Sequence, residues 1–477
     1  MQICKRANID LPLRKFCAYT LSMHTNTFAS GGSLRLISLA ITVIALLALS
    51  ACSSKSTSTI TYDTTDATVR TFALTANDSF PGLAIASFTV DNRIDTGLIA
   101  PANSDSLLFG TPLDSVIPKV TFTSRPAAAI YYIGDTSFIY TGSDTVNMTR
   151  QPVYLRVYSA DRKHEKYYRI VAYAHQIDPD LYRVDTILTQ LTPIPRASYT
   201  LYTNQTFYTF LSDGQSLAVT HSADAYTWAD ETTVNGLPAT ADIRQIVVDS
   251  TTLQFAYLQD STLYLSEEGS AWTATALHTQ GWTIRATLMS FGQHLWVVAQ
   301  KEDTTCLGYL NAETLQLTYL LSDSSLPVSD FAAVVFTSNN GSRHAILQGG
   351  FDKNGKMLSS CWSIEQAGQQ FRIINLDTPN YPQLPIAGSA MVAYNHQLIR
   401  FGGIQTDGNW YSICSSDSEG LFYTPITPTQ LPLPASVSMR YRQSAIQVGE
   451  YIYLFGGQSH SQFYNDIYRC RLNSIDW

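Results

Sequence analysis

Between residues 182 and 477 apolar and polar positions alternate in short runs, and the runs recur: SYTLY (198–202), RQIVV (244–248), RATLMSF (285–291), FAAVVF (331–336), SAMVAY (389–394) and RQSAIQV (442–448). A period of two over so few residues, rich in Val, Tyr, Phe and Thr, predicts strands. Each run follows a turn containing Leu-Pro or a close variant, at Pro195, Pro238, Pro327, Pro385 and Pro434, with "TQGW" (Trp282) filling the one gap. Spacings of 40 to 60 residues between such turns predict propeller blades or an array. Six inner-strand starts predict six blades.

The later repeats carry kelch-like signals, "AILQGGF", "LIRFGGI" and "YLFGGQ", in which two glycines end a strand where the backbone turns sharply. The earlier ones carry "SADAYTW" and "SEEGSAW", which resemble a shortened Asp-box, SxDGxxW. Ser222, Asp224 and Trp228 match in the first, which lacks the glycine; Ser266, Gly269 and Trp272 match in the second, with Glu268 for Asp. Such a box staples a turn between outer strands through side-chain hydrogen bonds.

The final repeat ends on a third strand, "IYRCRLNSIDW", with no fourth strand before Trp477. The complement stands at the start of the repeats, where "LYRVDTILTQLTPIP" begins with a strand that belongs to no blade there. Residues 182–188 are therefore expected to complete the last blade and close the ring, removing an exposed edge.

Ahead of the repeats, residues 66–176 alternate in short runs broken by Asp, Asn, Gly and Pro, the pattern of a small β-sandwich. Its last two strands are predicted as a hairpin, Tyr154, Arg156 and Tyr158 alternating with Leu155 and Val157, and Tyr168, Ile170 and Ala172 following a turn at "SADRKHEK". The fold class expected for the whole chain is all-β. The segment "GSDTVNMTRQPVYLRVYSADRKHEKYYRIVAYAHQIDPDLY" resembles the N-terminal domain of uncharacterised two-domain lipoproteins of gut Bacteroidetes, in which an immunoglobulin-like sandwich precedes a kelch-like propeller. The resemblance implies an envelope location and a propeller, and carries no catalytic residue across.

Composition agrees with strands: 28 Tyr, 20 Phe and only 14% charged residues. The apolar run from Leu36 to Ala51 is short for a transmembrane helix and ends in "LSAC", which resembles a bacterial lipobox over Leu49, Ser50, Ala51 and Cys52. Residues 1–51 are read as a lipoprotein signal peptide, Cys52 as the lipidated residue, and 52–65 as a polar tether. A leader of 51 residues is long, which makes Met23 an alternative start to Met1. Cleavage would leave 25 basic and 37 acidic residues, a net charge of −12. Such a surface argues against nucleic acid as a partner, and leaves the lipid on Cys52 to hold an outer-membrane protein in place. Periplasmic and surface-facing orientations both remain open.

Cys306, Cys361, Cys414 and Cys470 lie 55, 53 and 56 residues apart, each in a third-strand candidate. Equivalent strands of adjacent blades pack about 10 Å apart, beyond the roughly 7 Å Cα separation a disulfide allows, so four free buried thiols at one repeated core position are expected. The histidines show no HxH, HExxH or CxxC spacing, and P-loop, dinucleotide and GxSxG signatures are missing, so no metal, cofactor or catalytic residue is assigned. The enzymatic alternative is a sialidase-like glycoside hydrolase, a class that also joins Asp-boxes to six blades; its arginine triad, tyrosine nucleophile and acid cannot be assembled from this sequence. A structural role in an outer-membrane assembly is the other alternative.

Aligning the inner-strand starts places Arg196, Arg244, Arg285, Asp330, Ala387 and Arg442 at one repeated position near the channel mouth. Two readings follow: arginine staples between blades, or a cationic funnel for an anionic ligand, the propeller binding a glycan, a peptide or a protein partner, since guanidinium pairs bidentately with carboxylate. On the second reading Arg196, Arg244, Arg285 and Arg442 are the ligand-binding residues of a non-catalytic module.

Overall fold

The computed structural model describes residues 63–473 apart from 77–79, 81–82, 84–85, 103–106, 312–313 and 339. Cys52, the leader, most of the tether and Trp477 lie outside the described residues. Nearly all the regular structure is strand.

In the N-terminal unit Val69–Leu74 pairs with Pro118–Phe122, and six further strands form a second sheet. Their order is Phe88–Asp91, Thr96–Pro101, Glu165–Ile170, Val153–Tyr158, Ala128–Ile133, Thr136–Ile139. Thr96–Pro101 runs parallel to Glu165–Ile170 and the other pairs are antiparallel. The predicted hairpin is present, Leu155 standing opposite Tyr168. Val153, Leu155 and Val157 are fully buried while Tyr154, Arg156 and Tyr158 are half-exposed, the alternation a sheet with one covered face requires. Both sheets feed one core, in which Val69, Phe72 and Val120 meet Tyr131, Leu155 and Tyr168. The Tyr168 hydroxyl also accepts from Val69 N at 2.8 Å.

The described residues of the rest of the chain form six four-stranded antiparallel sheets, numbered I to VI in chain order by their first strands. Those first strands are Ala197–Thr203, Val247–Val248, Thr283–Phe291, Ala332–Thr337, Ala390–Tyr394 and Ser444–Val448, each within or overlapping a predicted inner run. Sheet II departs from expectation: its first strand keeps two residues, because a 3₁₀ turn at Ile243–Gln245, capped by Asp242, takes up the start of "RQIVV". Every pair of neighbouring sheets shares a buried cluster. Trp296, Leu307, Leu347 and Trp362 lie between III and IV, and Phe207, Tyr453, Phe455 and Ile467 between VI and I. Fully burying one such side chain is worth about 1.5–3 kcal/mol, so these seams hold the ring.

Sheet VI is composite. Ser444–Val448, Tyr451–Phe455 and Ile467–Leu472 are followed in the sheet by Tyr182–Leu188, with Leu472 opposite Tyr182 and Cys470 opposite Val184. This is the expected closure. The last strand hydrogen-bonds to the first of the ring, and Ser444 Oγ accepts from Thr200 N at 2.9 Å across the VI–I seam.

The paired glycines have a steric reason beyond the turn. Gly349 and Gly402 sit at φ +61° and +60°, where a Cβ would stand 2.1 Å from the carbonyl oxygens of Ile386 and Arg440, on the segments entering the next sheet. Their neighbours Gly350 and Gly403 donate to those same oxygens at 2.8 and 3.0 Å. Only glycine lets the two backbones come this close.

The four cysteines are free and buried, as expected, but they do not occupy one repeated position. Relative to the glycine pairs, Cys361 faces Gln348 immediately before the pair, Cys414 faces Arg400 two residues before, and Cys470 faces Ile452 four before. The third strands start at different levels, so similar sequence spacing does not give equal register. Burial pushes the thiols of Cys361 and Cys470 up to about 12.

Both Asp-box turns form between third and fourth strands. Asp224 Oδ1 accepts from Tyr226 N and Thr227 N, both at 2.8 Å, and Trp228 Nε1 donates to Ala225 O at 2.9 Å. In the second, Ser266 Oγ accepts from Gly269 N and Trp272 Nε1 donates to Gly269 O. Ala225 adopts φ +64° in place of the missing glycine. A third, degenerate copy went unseen in the sequence: Ser416 Oγ accepts from Gly420 N at 3.0 Å in "SSDSEGLFY".

Candidate functional site

The first strands and the turns before them enclose a central cavity of about 470 Å³. All six sheets line it, represented by Tyr199, Arg244, Met289, Asp330, Ser389 and Gln443. Its volume lies in the range of ordinary small-molecule sites, and strands from every sheet wall it.

At its mouth the chain builds a charge cluster. Asp330 precedes the first strand of sheet IV; Arg442 precedes that of sheet VI, and Arg244 that of sheet II. Arg442 Nε and Nη2 donate to the two Asp330 oxygens, each at 2.7 Å, and Arg244 Nη1 donates to the same carboxylate. Arg244 turns its other edge to Asp242, Nε to Oδ1 at 2.9 Å and Nη2 to Oδ2 at 2.8 Å. One carboxylate thus ties three alternate sheets across the channel.

The backbone prepares this. Asp330, Gly388 and Arg442 all sit at positive φ, and successive sheets are laced through them: Gly388 N donates to Asp330 O at 2.7 Å and Arg442 N to Gly388 O at 2.6 Å. The structural counterpart of Asp330 and Arg442 in sheet V is therefore Gly388, one residue beyond the expected Ala387.

The Asp330 side chain is 5% exposed, against 23% for Arg244 and 33% for Arg442. Burial alone would raise its carboxyl, but the hydrogen bond from Arg442 and the charges of Arg244 and Arg442 outweigh burial and hold it below the usual carboxylate range. Burial opposes the Arg442 cation, and its bonds to Asp330 raise its pKa nonetheless.

The other two arginines lie elsewhere, so the expected ring of four is not formed. Arg196 donates to Glu231, beside the outer strand of sheet I. Arg285 is exposed and donates through Nε to Gln300 Oε1 at 3.0 Å on the adjacent strand. The reason is register: in sheet III the first strand begins at Thr283, so Arg285 falls inside the strand, at a bulge between buried Ile284 and Ala286. Arg244 and Arg442 come together, but with Asp242 and Asp330 their charges balance, so the mouth is not an open cationic funnel.

Sequence reasoning passed over Asp242, whose signal was its place as N-cap two residues before Arg244, and the glutamines that follow the two arginines. Gln245 is buried and bridges sheets, donating to Val328 O and accepting from Thr287 N. Gln443 is 4% exposed, and its Nε2 has no partner among the described residues. Among the described residues no group of three or more His, Cys, Asp or Glu side chains is gathered in the manner of a metal site.

A closed ring of antiparallel sheets around an axial cavity defines a β-propeller protein. Residues 191–477 match the DUF6242 beta propeller domain and residues 54–171 the DUF6242 N-terminal domain, a domain of unknown function. The chain belongs to the DUF6242 family, which joins these two domains. Among solved structures, the one described as "Structure of YjhT" is similar over 59% of this chain and 96% of that chain, with 14% identity and a TM-score of 0.39, a likeness too distant to carry a site across. No curated protein matches the chain.

Proposed function

We propose that this is a lipid-anchored outer-membrane protein of the Bacteroidetes envelope, in which an immunoglobulin-like sandwich spaces a six-bladed kelch-like propeller from the membrane. The propeller binds a ligand at its channel mouth and does not transform it. The observation that carries this reading is the cavity of about 470 Å³ walled by all six sheets, at whose mouth Arg442 is partly exposed and leaves Nη1 outside its contact with Asp330. Because the two arginines already face two carboxylates, an anionic ligand has to compete with Asp330. A hydroxyl-rich neutral glycan suits the site better, since it accepts from Arg442 Nη1 and exchanges hydrogen bonds with buried amides such as Gln443.

The test is a glycan array probed with the soluble chain from residue 53, scored for retention and for release of reducing sugar. Retention of neutral glycans without release, lost in Arg442→Ala at a temperature where that variant is still fully folded, supports the module. Release of sugar identifies a glycoside hydrolase instead. No retention on any glycan, with only the melting temperature of Arg442→Ala lowered, makes the cluster a structural clasp and leaves a role in an outer-membrane assembly.

A further inference from the structure

Away from the channel, Arg400 lies on Gln397–Phe401, the second strand of sheet V, and is only 7% exposed. Its Nη1 donates to Gln348 Oε1 at 3.3 Å, on the second strand of sheet IV, and its guanidinium stands over the rings of Tyr423 at 4.4 Å and Tyr411 at 5.3 Å. The Nε/Nη2 edge is different. Among the described residues Nε has no partner, and Nη2 has only Cys414 Sγ at 3.9 Å.

That edge is the fork by which arginine grips an anion, and this chain uses it so elsewhere: Arg244 turns Nε and Nη2 to Asp242, and Arg442 turns them to Asp330. Arg440, equally buried, has Asp466. Arg400 has no carboxylate within ion-pair reach among the described residues. A buried guanidinium without a counter-charge is among the costliest groups a fold can contain.

The neighbouring side chains cannot supply that charge. Cys414 donates its thiol hydrogen to Ser412 O at 3.2 Å; Cys361 is pushed up to about 12 by burial and faces Gly420 O. Burial likewise raises Tyr411, which donates to Pro385 O, and Tyr423, whose hydroxyl meets Met391 Sδ at 3.7 Å. The carboxylate of Asp377 is taken up by Ser359 Oγ and Gln383 N. Beside the guanidinium, Gln348 Nε2 is a second buried donor without a partner among the described residues, on a residue 1% exposed.

We infer that Arg400 holds a small monovalent anion of chloride's size and charge at its Nε/Nη2 edge, in the interior between sheets IV and V. The anion neutralises the guanidinium and couples halide binding to the stability of the ring, independently of any ligand at the channel mouth.

The experiment compares melting of the chain from residue 53 in sodium chloride and in sodium gluconate at equal ionic strength, followed by tryptophan fluorescence, for the wild type and Arg400→Met. The wild type is expected to melt a few degrees higher in chloride, rising with the logarithm of its concentration, as linkage requires. Arg400→Met, which keeps the apolar volume and removes the charge, should show no such difference. Equal responses of the two proteins, or none in the wild type, overturn the inference. Crystals of the wild type grown in sodium bromide decide the matter even if the variant does not fold. An anomalous peak at the Nε/Nη2 edge supports the site, and a water or nothing there refutes it.

Discussion

Replacing Asp330 by alanine removes the carboxylate that joins sheets II, IV and VI. Three charge-assisted hydrogen bonds disappear together, two of them at 2.7 Å to Arg442 and the third to Arg244. Breaking a fully buried ion pair costs about 3–5 kcal/mol. Here the guanidiniums left behind are 23% and 33% exposed and can hydrate, and Arg244 keeps Asp242, so a loss of about 2–3 kcal/mol is expected. That corresponds to a fall of roughly 4–10 °C in melting temperature. All seven tryptophans lie at residue 228 or beyond, so their fluorescence follows the propeller alone. The dependence on pH adds a second reading. Because Asp330 titrates below its unfolded value, its contribution is complete above about pH 4 and is lost as pH falls through the lower folded value. The gap between wild type and Asp330→Ala should therefore close in acid. A double-mutant cycle with Arg442→Met isolates the pair. A variant within about 0.5 kcal/mol of wild type at pH 7, or a gap that widens in acid, would refute the clasp.

Deleting residues 182–188 strips sheet VI of its fourth strand and exposes the edge of Ile467–Leu472, so the protein should aggregate or lose its cooperative unfolding transition; a stable, monomeric deletion by size-exclusion chromatography contradicts the closure. Gly402→Ala places a Cβ 2.1 Å from Arg440 O at φ +60°, so a loss of more than about 1 kcal/mol is expected in urea unfolding, whereas Gly355→Ala, with open space around it, should lose only the backbone term. Cys361 and Cys470, buried and titrating near 12, should resist a thiol reagent at pH 8 in the native protein and react fully in guanidinium, and fast native labelling of either would contradict their burial. Cys52→Ala should abolish palmitate labelling in cells, and unchanged labelling removes the lipobox assignment.

Strand positions, turns and ring closure could be read from the chain because each rests on local rules. A period-two pattern follows from the pleat, a Leu-Pro or Gly-Gly pair marks where the backbone turns, and an orphan strand such as Tyr182–Leu188 must find a sheet to complete. The arginines show where this reading ends. Arg196, Arg244, Arg285 and Arg442 look equivalent in an alignment of repeats, yet Arg285 is carried outward by a strand that starts two residues earlier, while Arg244 is carried inward by a 3₁₀ turn. Asp330, from the same aligned position in another repeat, is the partner of Arg244 and Arg442 alone among the four. The four cysteines failed in the same way, since nearly constant spacing did not survive differences in where third strands begin. Local chemistry sets whether a residue lies in a strand and which face it takes. Which side chains then meet across a channel depends on the registers and tilts of sheets 86 and 112 residues apart, settled only when the interfaces between them pack.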